Sequence, residues 1–188
     1  MSTDHNATPY EGSYWVVPGV LLAGSYPGGP DLPSTQKRLQ GLLDAGVHSV
    51  INLMAEEEVL EHAPGEHYVP YEDVLEKMGE KNGVVVEIAR YAIEDGNTLT
   101  EQEMELILDA IDAEIDGRDS PTLVHCSDGN GRTGMVIGCY LARHGIAKGK
   151  EALTKIKELR ACDSLLAGQK SPETMVEEKF ILRWKEAR

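Results

Sequence analysis

The chain alternates between short apolar runs and longer stretches in which apolar residues recur every three or four positions. Runs of the first kind predict buried strands, and stretches of the second kind predict amphipathic helices. The predicted strands are Tyr14–Val17, Val20–Ala23, Val47–Leu53, Val84–Ile88 (with Tyr91 as a candidate extension) and Leu123–Val124. The predicted helices are Thr35–Ala45, Tyr71–Glu80, Thr100–Ile115, Met135–Leu141, Gly149–Ala161 and Pro172–Lys185.

Polar residues at the ends of these stretches predict where helices begin. Ser34 is a candidate N-cap, and Thr100 and Glu103 form a capping box. For the last helix, Ser171 is the predicted cap and Pro172 the predicted first helical residue. Helices that alternate with buried strands predict an α/β fold, a central and mainly parallel sheet flanked by helices. We expect a single domain over residues 1–188, with the polar, non-periodic residues 1–12 as a loose terminus.

Composition narrows the class of protein. A hydrophobic content of 41% and a charged content of 27% are typical of a soluble globular domain, and no apolar run or leader pattern predicts stable membrane insertion or secretion. The odd number of cysteines, three, without metal-type pairs favours a reducing compartment, by default the cytoplasm. A net charge of −14 argues against nucleic acid or an anionic membrane as a partner.

The candidate chemistry is concentrated between Pro121 and Gly134, which read P-T-L-V-H-C-S-D-G-N-G-R-T-G. A loop between a buried strand and a helix aims successive backbone N–H groups at one point and forms an anion cradle. Arg132 offers a fork of donors that matches two phosphate oxygens. Cys126, in that field, is expected to be a thiolate and therefore a nucleophile. The predicted phosphate-binding residues are Ser127, Asp128, Gly129, Asn130, Gly131 and Arg132.

This stretch resembles the signature of the cysteine-dependent phosphatases, H-C-x-x-G-x-x-R-[ST], found in protein tyrosine and dual-specificity phosphatases. The fixed positions are filled by His125, Cys126, Gly129, Arg132 and Thr133. The resemblance implies a protein-tyrosine-phosphatase-like fold and an enzyme that needs no cofactor or metal. The alternatives are a buried structural cysteine in a glycine-rich turn and a rhodanese-like sulfurtransferase, which lacks this spacing and the leading histidine.

A phosphatase also needs a general acid for the leaving oxygen. In this family the acid commonly lies on a loop around thirty residues before the cysteine, often as I-x-D, and Ile93, Glu94 and Asp95 match that pattern. Asp95 is therefore the predicted acid and Glu94 the second choice. The resemblance further implies that Thr133 donates to the cysteine sulfur and that His125 orients the loop.

Weaker similarities point to one branch, the small bacterial dual-specificity-type phosphatases. They are W-V-V-P-G-V-L-L-A-G-S-Y-P near the start, L-L-D-A-G-V in the first helix, and S-P-E-T from Ser171 to Thr174. Two positions depart from the family pattern. Asp128 replaces a small residue, and it could repel phosphate, receive a cationic group of the substrate, or do neither if its side chain points outward. Glu177 stands where branch members tend to have a water-positioning glutamine, so it is a candidate for that role.

Three functions are therefore expected in order. The first is hydrolysis of phosphotyrosine or related protein monoesters through a cysteinyl-phosphate. The second is the same chemistry on a small phosphorylated molecule, such as an inositol phosphate or phospholipid headgroup, and the third is a phosphate-binding module with little catalysis.

Other reactive side chains are assigned simpler roles. Cys139 and Cys162 are candidates for redox pairing with Cys126, although buried packing is the simpler expectation for Cys139. The run from Glu56 to Glu58 is interpreted as a solvated loop or helix start and not as a metal site, and His62 and His67 as surface histidines. The sequence leaves the oligomeric state open.

Overall fold

The structure is a computed structural model that describes residues 7–59, 68–97, 99–118 and 120–185. His62, His67 and the first six residues of the expected loose terminus lie outside the described residues. The part of that terminus that is described packs on the core instead of being loose. The buried Tyr10 donates its hydroxyl to the carbonyl of Ser25 at 2.6 Å, and Gly12 donates its amide to Asp163 at 2.8 Å.

The described residues contain one five-stranded sheet in the order β1-β2-β5-β3-β4. β1 and β2 pair antiparallel, and every other pairing is parallel, which confirms the predicted mainly parallel sheet. β5 lies at the centre and is buried along its whole length. The strands are β1 Ser13–Val17, β2 Leu21–Gly24, β3 Ser49–Asn52, β4 Glu87–Arg90 and β5 Thr122–His125.

Six α-helices accompany the sheet in the described residues. Of these, α4 is the most buried, and it contacts α3, α5, α6 and β2, while α1 and α2 pack on each other. None of the described helices combines the length and the apolar character needed to cross a bilayer. The helices are α1 Leu32–Asp44, α2 Glu72–Lys81, α3 Glu101–Arg118, α4 Gly131–Arg143, α5 Lys150–Arg160 and α6 Met175–Arg183, with a 3-10 turn at Glu57–Val59.

Three helices begin elsewhere than predicted, and one of them, α4, begins at Gly131, four residues before the predicted Met135. α1 begins three residues early, because Asp31 and not Ser34 is its N-cap; Asp31 accepts the Ser34 amide at 2.8 Å. α6 begins after Ser171, at Met175, because Thr174 and Glu177 close a reciprocal capping box there. The predicted capping box of Thr100 with Glu103 is confirmed at the start of α3.

The fourth strand also differs from its prediction. β4 pairs with β3 from Glu87 onward, so Val84, Val85 and Val86 precede the sheet. The amide of Val84 instead donates to Gly79 at 3.0 Å and closes the end of α2, and Val85 is 75% exposed. This apolar run therefore closes the end of a helix and does not form a strand.

The pairing of the three central strands places the chemistry. Gly24 of β2, His125 of β5 and Asn52 of β3 lie side by side at the carboxyl ends of parallel strands. Ligands of open α/β sheets bind at this edge. Cys126 follows β5 directly, so the predicted cradle lies where the fold offers a site.

Candidate active site

The loop from Cys126 to Asn130 turns tightly between β5 and α4, and a glycine is required for the turn. Gly129 has φ +70°, and a Cβ placed on it would lie 2.6 Å from the carbonyl carbon of Gly24. Real Cβ atoms do not approach backbone this closely, so no other residue fits. The neighbouring strand β2 thereby supports the underside of the loop.

The loop is also held by its backbone. The amide of Tyr26 donates to the carbonyl of Ser127 at 2.8 Å, and the amide of Leu53 donates to the carbonyl of His125 at 2.9 Å. The chain that follows β2 and the chain that follows β3 thus fix the two sides of Cys126. The position of Cys126 is therefore fixed by the chain on both sides.

A buried arginine on α5 holds the far end of the loop. Arg160, 2% exposed, donates one guanidinium nitrogen to the carbonyl of Gly129 at 2.6 Å and another to the side-chain oxygen of Asn130. The side chain of Asn130 also donates to Gln169 at 2.9 Å, and its carbonyl accepts the Ser171 hydroxyl at 2.8 Å. The conformation of the loop therefore depends on residues that follow it in sequence by 30 to 41 positions.

Cys126 lies at the floor of the cradle and is 3% exposed. The hydroxyl of Thr133, in the first turn of α4, donates to its sulfur at 3.0 Å. This is the contact that the family resemblance implies for Thr133. The sulfur therefore faces the same pocket as the start of α4, whose backbone amides are available to an anion.

His125 lies behind the loop in a fully buried network. One ring nitrogen is 3.1 Å from the carbonyl oxygen of Cys126, and Nε2 is 2.7 Å from the hydroxyl of Tyr71. Burial lowers the pKa of His125 to about 3, so the ring is neutral at physiological pH. His125 is thereby suited to orienting the loop and not to transferring protons.

Arg132 reaches the pocket from α4 and is 3% exposed. Its Nη1 donates to both carboxylate oxygens of Glu58 at 2.8 and 2.7 Å and to the carbonyl of Ile93 at 3.1 Å. Its Nη2 lies 3.6 Å from Asp95. Burial alone would lower the pKa of Arg132, but Cys126, Glu58 and Asp95 outweigh burial and raise it, so the guanidinium stays charged.

The residues from the loop and from the chain after β3 and β4 line one open pocket of about 740 Å³. Asp95 lies at its rim, 82% exposed, as a general acid for an incoming substrate would. Glu94 is also exposed and accepts a hydrogen bond from Asn97 at 2.7 Å. The lining residues are Ala55, Glu58, Ala92, Glu94, Asp95, Cys126, Ser127, Asp128, Gly131, Arg132 and Glu173.

Six of the predicted site residues line this pocket, namely Asp95, Cys126, Ser127, Asp128, Gly131 and Arg132, while Gly129, Asn130, His125, Thr133 and Glu177 do not. Asn130 turns to Arg160 and Gln169 and lines the neighbouring pocket. Glu177, 1% exposed, is held by the backbone amide and the hydroxyl of Thr174 at 2.8 and 2.9 Å, and a Cβ on Gly131 would lie 2.5 Å from its Oε1. Its carboxylate therefore packs against the beginning of α4.

Gln169 and Ser171, which bind Asn130, were not predicted as site residues, and neither were four others. They are Glu58, Tyr71, Arg160 and Glu173, which reach the loop or the pocket rim from other elements. The interpretation of Glu58 as a solvated residue was wrong, because it binds Arg132; Glu56 and Glu57 are exposed as expected. The sequence did hold a clue to the role of Glu58, because Glu58 follows shortly after β3 and β3 is the neighbour of β5. Within the described residues, no group of three or more His, Cys, Asp or Glu could hold a metal ion.

The fold is shared with known phosphatases. Tk-PTP in its active form is 20% identical, with 92% of this chain and 98% of that chain covered and a TM-score of 0.63. TpbA of P. aeruginosa, solved with pTyr, is 16% identical over 94% and 86% of the two chains, with a TM-score of 0.60. PTPMT1, solved with PI(5)P, is 20% identical over 86% and 89%, with a TM-score of 0.55.

A family model matches residues 11–181, from β1 almost to the end of α6. That match covers both the loop from Cys126 and the arginine that anchors it. The family is described as the phosphatase domain of DSP-PTPase type found in Swiss Army Knife proteins. The chain therefore belongs to the PTP-SAK family of dual-specificity-type protein tyrosine phosphatase domains.

Proposed function

We propose that the protein hydrolyses phosphate monoesters of proteins, phosphotyrosine or dual-specificity substrates, through a cysteinyl-phosphate intermediate. One observation carries this proposal. Cys126, which accepts a hydrogen bond from Thr133, and the buried Arg132 open into the same pocket, with Asp95 at its rim. A nucleophile, a phosphate clamp and an acid are thus present in one site.

In the first step the thiolate of Cys126 attacks phosphorus, and the bond from phosphorus to the ester oxygen breaks. Asp95 gives its proton to the departing oxygen, which leaves as a neutral alcohol or phenol. The loop amides and Arg132 stabilise the charge on the three equatorial oxygens in the transition state. Because Arg132 binds Glu58 in the structure, phosphate oxygens replace Glu58 on part of the guanidinium.

In the second step water attacks the phosphorus of the cysteinyl-phosphate and the sulfur leaves. Asp95, now ionised, takes the proton of that water, and the products are inorganic phosphate and the free thiolate. Thr133 donates to the departing sulfur, in line with the 3.0 Å contact. Glu177 is the candidate for positioning this water through its place beside Gly131.

The three cysteines are free in the structure, with Cys139 buried and Cys162 exposed. Free thiols fit a reducing compartment, so we place the protein in the cytoplasm. Burial raises the pKa of Cys139, which disfavours its thiolate and hence a part in disulfide exchange with Cys126.

Hydrolysis of an aryl phosphate tests the mechanism. The wild-type protein should release phosphate in the presence of chelator and be blocked by vanadate, and Cys126→Ser should abolish turnover. Asp95→Ala should remove the basic limb of the pH profile of kcat. Activity that survives Cys126→Ser would refute the mechanism, and an unchanged basic limb would clear Asp95 of its role.

Substrate panels separate the alternatives. Comparison of kcat/KM for phosphopeptides, inositol phosphates and phospholipid headgroups distinguishes a protein phosphatase from a small-molecule phosphatase. Stoichiometric binding of a phosphopeptide with no phosphate released over hours would instead identify a binding module. The carboxylates around the pocket weigh against highly phosphorylated substrates.

A further inference from the structure

Five carboxylates surround the active-site pocket, while Arg132 is the sole Lys or Arg among its described lining residues. The carboxylates are those of Glu58, Glu94, Asp95, Asp128 and Glu173. Two of them already have an assigned role, because Glu58 binds Arg132 and Asp95 is the proposed acid. Asp128 and Glu173 are exposed and form no ion pair with any residue that the structure describes.

These two carboxylates lie at a junction. A second open pocket, of about 770 Å³, adjoins the first, and the two share Ser127, Asp128 and Glu173 as lining residues. A leaving group that extends from the phosphate at Cys126 into the second pocket therefore passes both carboxylates. The second pocket also contains Tyr26, Arg38, Tyr68, Leu165, Leu166 and Lys170.

The two cations of the second pocket, Arg38 and Lys170, do not line the first pocket. Lys170 forms an ion pair with Glu178 at 3.0 Å, and Arg38 donates to the carbonyl of Gly28 at 3.0 Å. Glu178 offsets the charge of Lys170, whereas Arg38 keeps its positive charge, because the Gly28 carbonyl is neutral. The junction remains negative, and so does the chain as a whole, with a net charge of −14.

We propose that the substrates are phosphopeptide segments in which Lys or Arg flanks the phosphorylated residue, and that Asp128 and Glu173 determine this specificity. The proposal rests on the proposed phosphatase function. Arg132 and the loop amides bind the phosphate dianion, and a flanking cation meets two unpaired carboxylates, whereas a flanking carboxylate meets like charge. Two joined pockets suit an extended chain, since a compact molecule fills only one of them.

Three phosphotyrosine peptides that differ only in flanking Lys, Gln or Glu residues test the proposal. For the wild-type protein, kcat/KM should fall in that order, by about fivefold between the extremes at low salt, and the difference should shrink as salt screens the charges. The combined variant Asp128→Asn with Glu173→Gln should remove the ranking. The control Glu76→Gln with Glu80→Gln, which also removes two charges but from exposed positions of α2 outside both pockets, should keep it.

The outcomes are distinguishable. Equal rates or a reversed ranking would overturn the specificity while leaving the phosphatase function in place. Turnover of an aryl phosphate but of no peptide would overturn both the specificity and the action on proteins, and would leave only hydrolysis of phosphate monoesters. A ranking that persists in the combined variant would overturn the assignment to these two residues. If that variant fails to fold, Glu173→Gln alone, at an exposed position, should halve the preference, and an unchanged preference would again overturn the assignment. Failure of the wild-type protein on the aryl phosphate would refute the function itself.

Discussion

The arginine that anchors the loop from α5 offers a direct test of how this site is held. Arg160 is buried and donates to the carbonyl of Gly129 and to the side chain of Asn130, and its guanidinium carbon lies 5.6 Å from the centre of the Tyr14 ring. It does not itself line the pocket around Cys126. Replacing it should therefore act on catalysis through the shape of the loop.

The size of the effect follows from the bonds that are lost. Arg160→Met keeps much of the side-chain volume but leaves the buried Gly129 carbonyl without this donor. Each hydrogen bond from a charged group contributes about 1.5–3 kcal/mol, and Arg160 donates two of them. The substitution also removes the cost of burying the guanidinium charge, which offsets part of this loss. We expect a loss of about 3 kcal/mol in the free energy of unfolding and, because small misplacements of a nucleophile slow reaction strongly, at least about a tenfold fall in kcat.

Urea unfolding gives the stability, and aryl phosphate hydrolysis, in conditions where the variant remains folded, gives kcat and KM. Arg160→Lys, which keeps the charge and one donor, should fall between the wild type and Arg160→Met. Arg143→Met is the matched control. Arg143 is also a largely buried arginine, but it pairs with Asp109 and Asp112 on α3, so its loss should lower stability and spare kcat.

The reasoning would be refuted if folded Arg160→Met retained the kcat of the wild type. It would equally be refuted if Arg143→Met lowered kcat as much, because the effect would then reflect general destabilisation. A change confined to KM would indicate that Arg160 acts on phosphate binding through its charge and not on the position of the sulfur.

Three further predictions concern the neighbours of the loop. Gly129→Ala should lower kcat/KM by at least about a hundredfold, because its Cβ would lie 2.6 Å from the Gly24 backbone. Gly145→Ala is the control: Gly145 also has a positive φ, +67°, but open space around it, so this substitution should lower the stability by about 1 kcal/mol and leave kcat/KM unchanged. Glu58→Gln should strengthen inhibition by inorganic phosphate several-fold, because a charged competitor for Arg132 is removed; weaker inhibition would contradict this. The pKa of His125 is about 3 in the folded protein and 6.5 in the unfolded chain, so the unfolded chain takes up a proton first as the pH falls. The free energy of unfolding should therefore keep the full contribution of the neutral ring above pH 6.5 and fall by about 2 kcal/mol between pH 7 and 5. His125→Asn should flatten that dependence in denaturant titrations, and an equally steep curve would contradict it.

The part of the site that sequence predicts is the part that is contiguous in sequence. Strand, turn and helix are specified locally here, because the residues that determine them lie within a few positions of Cys126. These residues are the apolar pair Leu123 and Val124, the glycines of the loop, and Arg132. Asp95 was placed by resemblance, and the structure finds it 3.6 Å from Arg132.

The rest depends on contacts across the chain. Arg160 lies on an ordinary amphipathic helix, and nothing in its local pattern shows that its side chain turns inward to a loop 30 residues earlier. Glu58 binds Arg132 across 74 residues. Val84–Val86 resemble a strand because of their apolar side chains, but the packing of Val84 and Val86 against Gly79 at the end of α2 determines their place.

The anchors of the loop have a consequence for synthesis of the protein. Arg160, Gln169 and Ser171 leave the ribosome after the nucleophile that they help to position. A nascent chain that ends before α5 can form β5 and begin α4, yet Gly129 and Asn130 then have no partners on their outer side. The geometry of the loop should therefore be complete only once the chain through Ser171 has emerged and packed against Gly129 and Asn130.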